Sequence, residues 1–153
     1  MAQATHDQVN LMLHLFELRR EPRLRQARQW FSENFHITSA AEMMQKFPPN
    51  SEGNVNFRMV ASYWDMVAAI VNRGLVDEEL FFETSGEQWF VWDQMKPVAS
   101  EFRAMFKNPH SFENLEEHCR RLEAWREKRA PGSTEAMRQV IKQMQEQMAK
   151  AKK

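Results

Sequence analysis

Apolar side chains recur every three or four residues along this chain, and little interrupts them: its 153 residues include only four glycines and six prolines. No run of alternating apolar and polar residues is long enough for a half-buried strand, so the period demands helices. Pro22, Pro48-Pro49, Gly53, Gly74, Gly86, Pro97, Pro109 and Pro131-Gly132 fall between the periodic stretches and mark where helices begin, end or bend. The expected fold is all-α, an irregular helical bundle of about seven or eight helices around a central helix over 55–73. Residues 1–130 read as one helical domain, and 131–153 as a C-terminal amphipathic helix docked on that domain or on a partner.

Local chemistry sets most of the expected boundaries. Thr5 and Gln8 form a capping box, with Val9, Met12, Leu13 and Phe16 as the stripe of the first helix. Pro22 suits the first turn of the second, where its missing N–H costs nothing; Leu24, Ala27, Phe31 and Phe35 follow at helical spacing, widened by Trp30. Thr38 and Glu42 open a short helix that must stop before Pro48-Pro49, and 50–54 reads as a loop. Met59, Val60, Tyr63, Met66, Val67, Ile70 and Val71 make the central helix largely apolar. Gly74 is placed for a left-handed C-terminal cap, and Asp77 for capping Glu78 to Glu83. The next helix, about 87–106, presents Trp92, Met95, Ala99, Phe102 and Phe106, with a kink or break expected at Pro97. Ser111 is placed to cap a helix bearing Phe112, Leu115, Cys119 and Leu122. From Ser133, a final helix carries Met137, Val140, Ile141, Met144 and Met148 as one narrow seam, which suits docking along a neighbouring helix.

Composition removes several function classes. A lone cysteine, Cys119, excludes an internal disulfide framework and a four-cysteine zinc site, and it fits a reducing compartment. Twenty-one basic residues balance twenty-one acidic ones, which argues against nucleic-acid binding driven by counterion release. That neutrality is uneven: 51–106 holds four basic and nine acidic residues, and 107–153 eleven and seven. No segment approaches the ~18 apolar residues of a membrane span. The N-terminal residues have neither a basic start nor an apolar core, so no secretory signal and no membrane association are expected, and the expected address is cytoplasmic.

One stretch has a familiar look. Asn72-Arg73-Gly74-Leu75-Val76-Asp77-Glu78-Glu79-Leu80-Phe81, followed by Trp89, Trp92, Pro97 and Arg103, resembles a bacterial domain-of-unknown-function family of small all-helical proteins. There a long apolar helix ends in a Gly-Leu-hydrophobic-Asp-Glu turn, and a short helix leads to an aromatic-rich helix with a proline and an arginine. The likeness spans about 55–105. It implies a helical fold and a bacterial setting, and no activity.

Constellations that could carry chemistry are few. Carboxylate-bridged dimetal bundles need two Glu-x-x-His motifs, whereas Glu33-x-x-His36 is the sole match here, so no metal or other cofactor is expected. His118 and Cys119 are adjacent, but neighbours on a helix diverge, and Cys119 lies on the apolar stripe, where burial mutes a thiol. Arg19, Arg20, Arg23, Arg25 and Arg28 could form an anionic-partner patch; arginine stems covering the edges of a buried face are the plainer reading. No catalytic motif is found. Eleven methionines are a marked excess, and flexible thioethers suit adaptable binding surfaces, pointing to Met43-Met44 and the C-terminal seam.

The favoured function is therefore a non-enzymatic protein-interaction or regulatory module. Its C-terminal helix would contact a second copy of the chain or a protein partner through Met137, Val140, Ile141, Met144 and Met148. The alternative is a small-molecule-binding or enzymatic helical domain with a tryptophan-lined pocket formed by Tyr63, Trp64, Asp65, Trp89, Trp92 and Arg103.

Overall fold

Eight helices and no strand occur among the described residues, 3–153, of this computed structural model. They are α1 (His6–Arg19), α2 (Pro22–Asn34), α3 (Ala40–Lys46), α4 (Glu52–Asn72), α5 (Glu78–Thr84), α6 (Glu87–Met105), α7 (Glu113–Arg129) and α8 (Ser133–Ala151). None is long and apolar enough to cross a membrane. The chain divides into two units, residues 1–119 and 120–153, with the boundary inside α7.

In the first unit the core forms around α4, whose most extensive partner is α2. Phe31 and Phe35 stack at 4.7 Å, and Phe35 stacks in turn on Phe57 of α4 at 5.0 Å. All three rings are buried, each stabilising the fold by about 1.5–3 kcal/mol through the area it removes from water. Trp64, Val67, Val71, Trp89, Met95, Val98, Leu115 and Cys119 extend that core into α6 and the start of α7.

Several helix ends follow directly from capping chemistry. Thr5 and Gln8 make the reciprocal box at α1, and Pro22 opens α2 under a Glu21 carboxylate that accepts from the Arg23 and Leu24 amides. Asp77 accepts from Leu80 N at 2.8 Å to start α5. After α4, Gly74 is left-handed (φ 74°), and the Leu75 and Gly74 amides bond back to Ile70 and Val71 carbonyls, a Schellman motif.

Other boundaries differ from expectation, each for a tertiary reason. Residues 52–54 belong to α4, not to a loop, because Ser51 caps Asn54 N and Gly53 lets the helix lie against two rings. A Cβ there would clash with Phe47 and sit 2.8 Å from Trp30 Cζ2. Ser39 rather than Thr38 caps α3; the Thr38 amide and hydroxyl instead donate to the Glu42 carboxylate. In α1 it is Leu15 that is buried and Leu13 that is exposed, because α1 turns Leu15 with Met12 inward. Helix α6 continues unbroken through Pro97: burial of Met95, Val98, Ala99 and Phe102 around it offsets the ~3 kcal/mol a helical proline costs. Phe112, not Ser111, stands at the start of α7, its carbonyl accepting from Glu116 N at 3.0 Å.

The second unit is a helical hairpin. Glu127, near the end of α7, accepts from the Gly132 and Thr134 amides at 2.8 and 2.9 Å and so caps α8. Arg138 donates to Glu123 at 2.7 Å, tying the first turns of α8 to α7. Gly132 takes the left-handed conformation (φ 86°) that lets the chain reverse.

Candidate functional site

The first unit holds an apolar groove of about 720 Å³ built from five separate stretches of chain. Helix α3 supplies Met43 as floor and Met44 as rim. Pro49 and Asn50 follow in the connecting loop, Asn54, Phe57 and Arg58 come from the first turns of α4, Phe102, Met105 and Phe106 from the end of α6, and Ser111 and Phe112 from the turn before α7. At the rim Phe106 is 68% exposed, Met105 51% and Met44 41%. Monomeric proteins seldom leave apolar side chains clustered in this way unless something else covers them.

Each wall is held from behind. Glu42 accepts from the Thr38 amide and hydroxyl and from Lys46 Nζ (2.8 Å), and these bonds hold its carboxyl down at about 2. The Ala40 amide donates to Glu101 at 2.6 Å, fastening α3 to α6. Asn54 Nδ2 donates to the Phe47 carbonyl, while its Oδ1 accepts from Arg58 Nε at 3.1 Å. Arg58 is the only charged residue on the lining.

The far wall is strained. Lys107 (φ 51°) and Phe112 (φ 61°) are the two non-glycine residues in the left-handed region among the described residues. Lys107 closes α6 in the same Schellman geometry that Gly74 provides for α4, its amide bonding Ala104 O and that of Asn108 bonding Arg103 O. A bulky residue there costs roughly 1–2 kcal/mol. Phe112 accepts that cost beside the groove, and Arg103 pins the turn by donating to the Ser111 carbonyl at 2.9 Å and to Glu116 at 2.7 Å.

Of the residues proposed from sequence as a tryptophan pocket, Tyr63 meets Trp64 and Trp92 meets Arg103. Trp64 and Trp89 are 1% exposed and belong to the core. Tyr63 packs edge-on to Trp64 and donates to the Leu15 carbonyl; burial pushes its phenol up to about 12. Asp65 accepts from Leu115 N at 3.0 Å, and burial raises its carboxyl above the ordinary value. Trp92, half-buried, lies 6.0 Å from the Arg103 guanidinium carbon. Of the C-terminal seam, Val140 (54%) and Met144 (57%) are exposed, and Met137, Ile141 and Met148 are half-buried.

Two of the five clustered arginines and the lone cysteine are held by structural contacts. Arg28 donates to both oxygens of Glu87 and to the Arg19 carbonyl, and Arg19 itself lies over Phe16 and approaches Glu87 at 4.0 Å. The Cys119 thiol donates to Gln88 O at 3.4 Å inside the core. His36 is exposed, and among the described residues no three His, Cys, Asp or Glu side chains are grouped to hold a metal. The Met43-Met44 pair, noted in the sequence as a candidate binding edge, lines the groove. Met105, Phe106 and Phe112 were missed, although two large apolar residues directly before the Lys-Asn-Pro-His breaker were a usable signal.

Comparison with curated proteins and with solved structures yields no match. A family described as Domain of unknown function (DUF4760) matches residues 4–122, which takes in all of the groove and most of the chain. The chain therefore belongs to the DUF4760 domain-of-unknown-function family.

Proposed function

We propose that this protein is a non-enzymatic interaction module of the bacterial cytoplasm whose groove receives an amphipathic helix from a protein partner. The observation that carries the reading is the groove's rim, where Met44, Met105 and Phe106 stand exposed around a floor of Met43, Phe57 and Phe102. Methionine and phenylalanine walls accommodate the i, i+3, i+4, i+7 anchors of a docking helix with little demand for one shape. Arg58, alone in charge on the lining, favours a helix with an acidic residue flanking its apolar face. Support for the cytoplasmic setting comes from the lone, buried thiol, and for the bacterial one from the family likeness. The tryptophan-pocket alternative has less support, since two of its tryptophans fill the core.

Selection from a displayed library of amphipathic 18-residue helices tests the proposal. Helices carrying an acidic flank are expected to be enriched, and their binding to be lost in a Met44→Glu, Phe106→Glu variant that retains its helical circular dichroism. No enrichment, or binding indifferent to both substitutions, would contradict it.

A further inference from the structure

Helix α8 divides its solvent-facing surface in an uneven way. Glu135, Lys142, Glu146 and Lys150 follow one another at seven-, four- and four-residue steps and so share one stripe, while Arg138 is engaged with Glu123. Alongside runs a second stripe, Ala136, Val140, Gln143 with Met144, Gln147 and Ala151, which is equally exposed and carries no charge. Solvation alone gives no reason to collect every free charge on one stripe and leave its exposed neighbour neutral. A seam meant for another helix does, because a charge at its centre would have to be desolvated.

The spacing of the neutral stripe is also symmetric about the midpoint between Gln143 and Met144. Laid antiparallel on a second copy of itself, it places Ala136 opposite Ala151, Val140 opposite Gln147, and Gln143 opposite Met144, so one patch serves both partners, as a two-fold interface requires. Charge selects the same direction. The acidic end of α8, at Glu135, then lies near the basic end formed by Lys150, Lys152 and Lys153, whereas a parallel pair would set the three lysines against three lysines. Opposed helix dipoles add to the preference.

We infer that two copies of this chain associate through an antiparallel pairing of their α8 helices across the Ala136–Ala151 stripe. A single helix seam is small beside the ~1,200 Å² of stable complexes, so the dimer is weak and dependent on concentration. This pairing is independent of the groove and stands or falls without it.

Cysteine cross-linking of the full chain tests both pairing and direction, with the buried Cys119 of the wild type as background. Under mild oxidation Gln143→Cys is expected to form a covalent dimer, since the two residues meet at the symmetry axis. Ala136→Cys is expected not to link to itself, its copies lying ~22 Å apart along the pair, yet to link when mixed with Ala151→Cys. Adding Val140→Glu and Met144→Glu to Gln143→Cys should abolish the link at unchanged circular dichroism. Self-linking of Ala136→Cys would show a parallel pair, and a Gln143→Cys link that survives both glutamates would show random collision. A wild-type protein still monomeric by sedimentation at about 1 mM, with no Gln143→Cys link, would equally overturn the inference.

Discussion

The two units hold themselves together by different means. Residues 1–119 bury aromatic rings from helix after helix, so their stability rests on area removed from water and on ring packing. Residues 120–153 fully bury only Leu122 and Thr134, and fix their hairpin instead through carboxylates, Glu127 on the α8 amides and Glu123 on Arg138. Thirty-four residues are too few to enclose a core of their own. Exposed apolar side chains of the first unit gather at one groove, apart from Leu13, Leu18, Met66 and Leu75, while in the second they run along a helix. That contrast is the basis for assigning the groove to a partner of different sequence and the helix to a copy of itself.

The comparison predicts the largest energetic effect in the aromatic stack. Phe35→Ala, which removes a buried ring wedged between Phe31 and Phe57, should cost about 3–5 kcal/mol in denaturant unfolding. A loss under about 1 kcal/mol would show that the stack is not what holds the first unit.

Next in size is the ion pair joining α2 to α6. Glu87→Ala strips Arg28 of both carboxylate bonds in a partly shielded place and should cost about 1–3 kcal/mol, a range that allows for screening.

Smaller again are the two Schellman turns, which share one hydrogen-bond pattern and place glycine in one and lysine in the other at the left-handed position. Lys107→Gly should stabilise the protein by about 1 kcal/mol and Gly74→Ala should destabilise it by a similar amount, both read from unfolding midpoints. If Lys107→Gly leaves stability unchanged, its left-handed backbone carries no strain.

The second unit should respond mainly to pH. Bonds from the Gly132 and Thr134 amides hold the Glu127 carboxyl below its ordinary 4.5, so the folded hairpin binds that proton less readily than the unfolded chain. Its contribution is complete above pH 4.5 and is lost as the pH falls below that through the folded value. Carbon chemical shifts over 133–138 should report fraying of α8 in that window, and Glu127→Gln should flatten the change. Asp65 in the first unit has the opposite sign. Its raised carboxyl makes folding less favourable as pH rises from 3.8 through the folded value, so Asp65→Asn, which keeps an acceptor for Leu115 N, should leave the protein no less stable at neutral pH.

How much was readable beforehand divides along similar lines. Thr5, Pro22, Gly74 and Asp77 declared their helix ends because a cap is a contact over three or four residues, and local sequence encodes it. The start of α4 at Glu52 was hidden, because Gly53 looks like a breaker until Trp30 and Phe47 are seen against it. Phe106 shares the spacing of the α6 face that Met95, Ala99 and Phe102 bury, yet it caps the end of α6 and is exposed. The candidate site fared as Phe106 did. Met43-Met44 drew notice as a doublet, but the groove also needs residues more than forty positions away, and only tertiary packing brings Phe102, Met105 and Phe112 to them.

The central claim is that the groove of the first unit receives a partner helix. Methyl resonances of the eleven methionines, followed while a selected acidic-flanked helix is added, test it most directly. The account predicts that Met44 and Met105 shift strongly while Met144 and Met148 of α8 stay in place. Shifts confined to Met144 and Met148, with Met44 and Met105 unmoved, would contradict it.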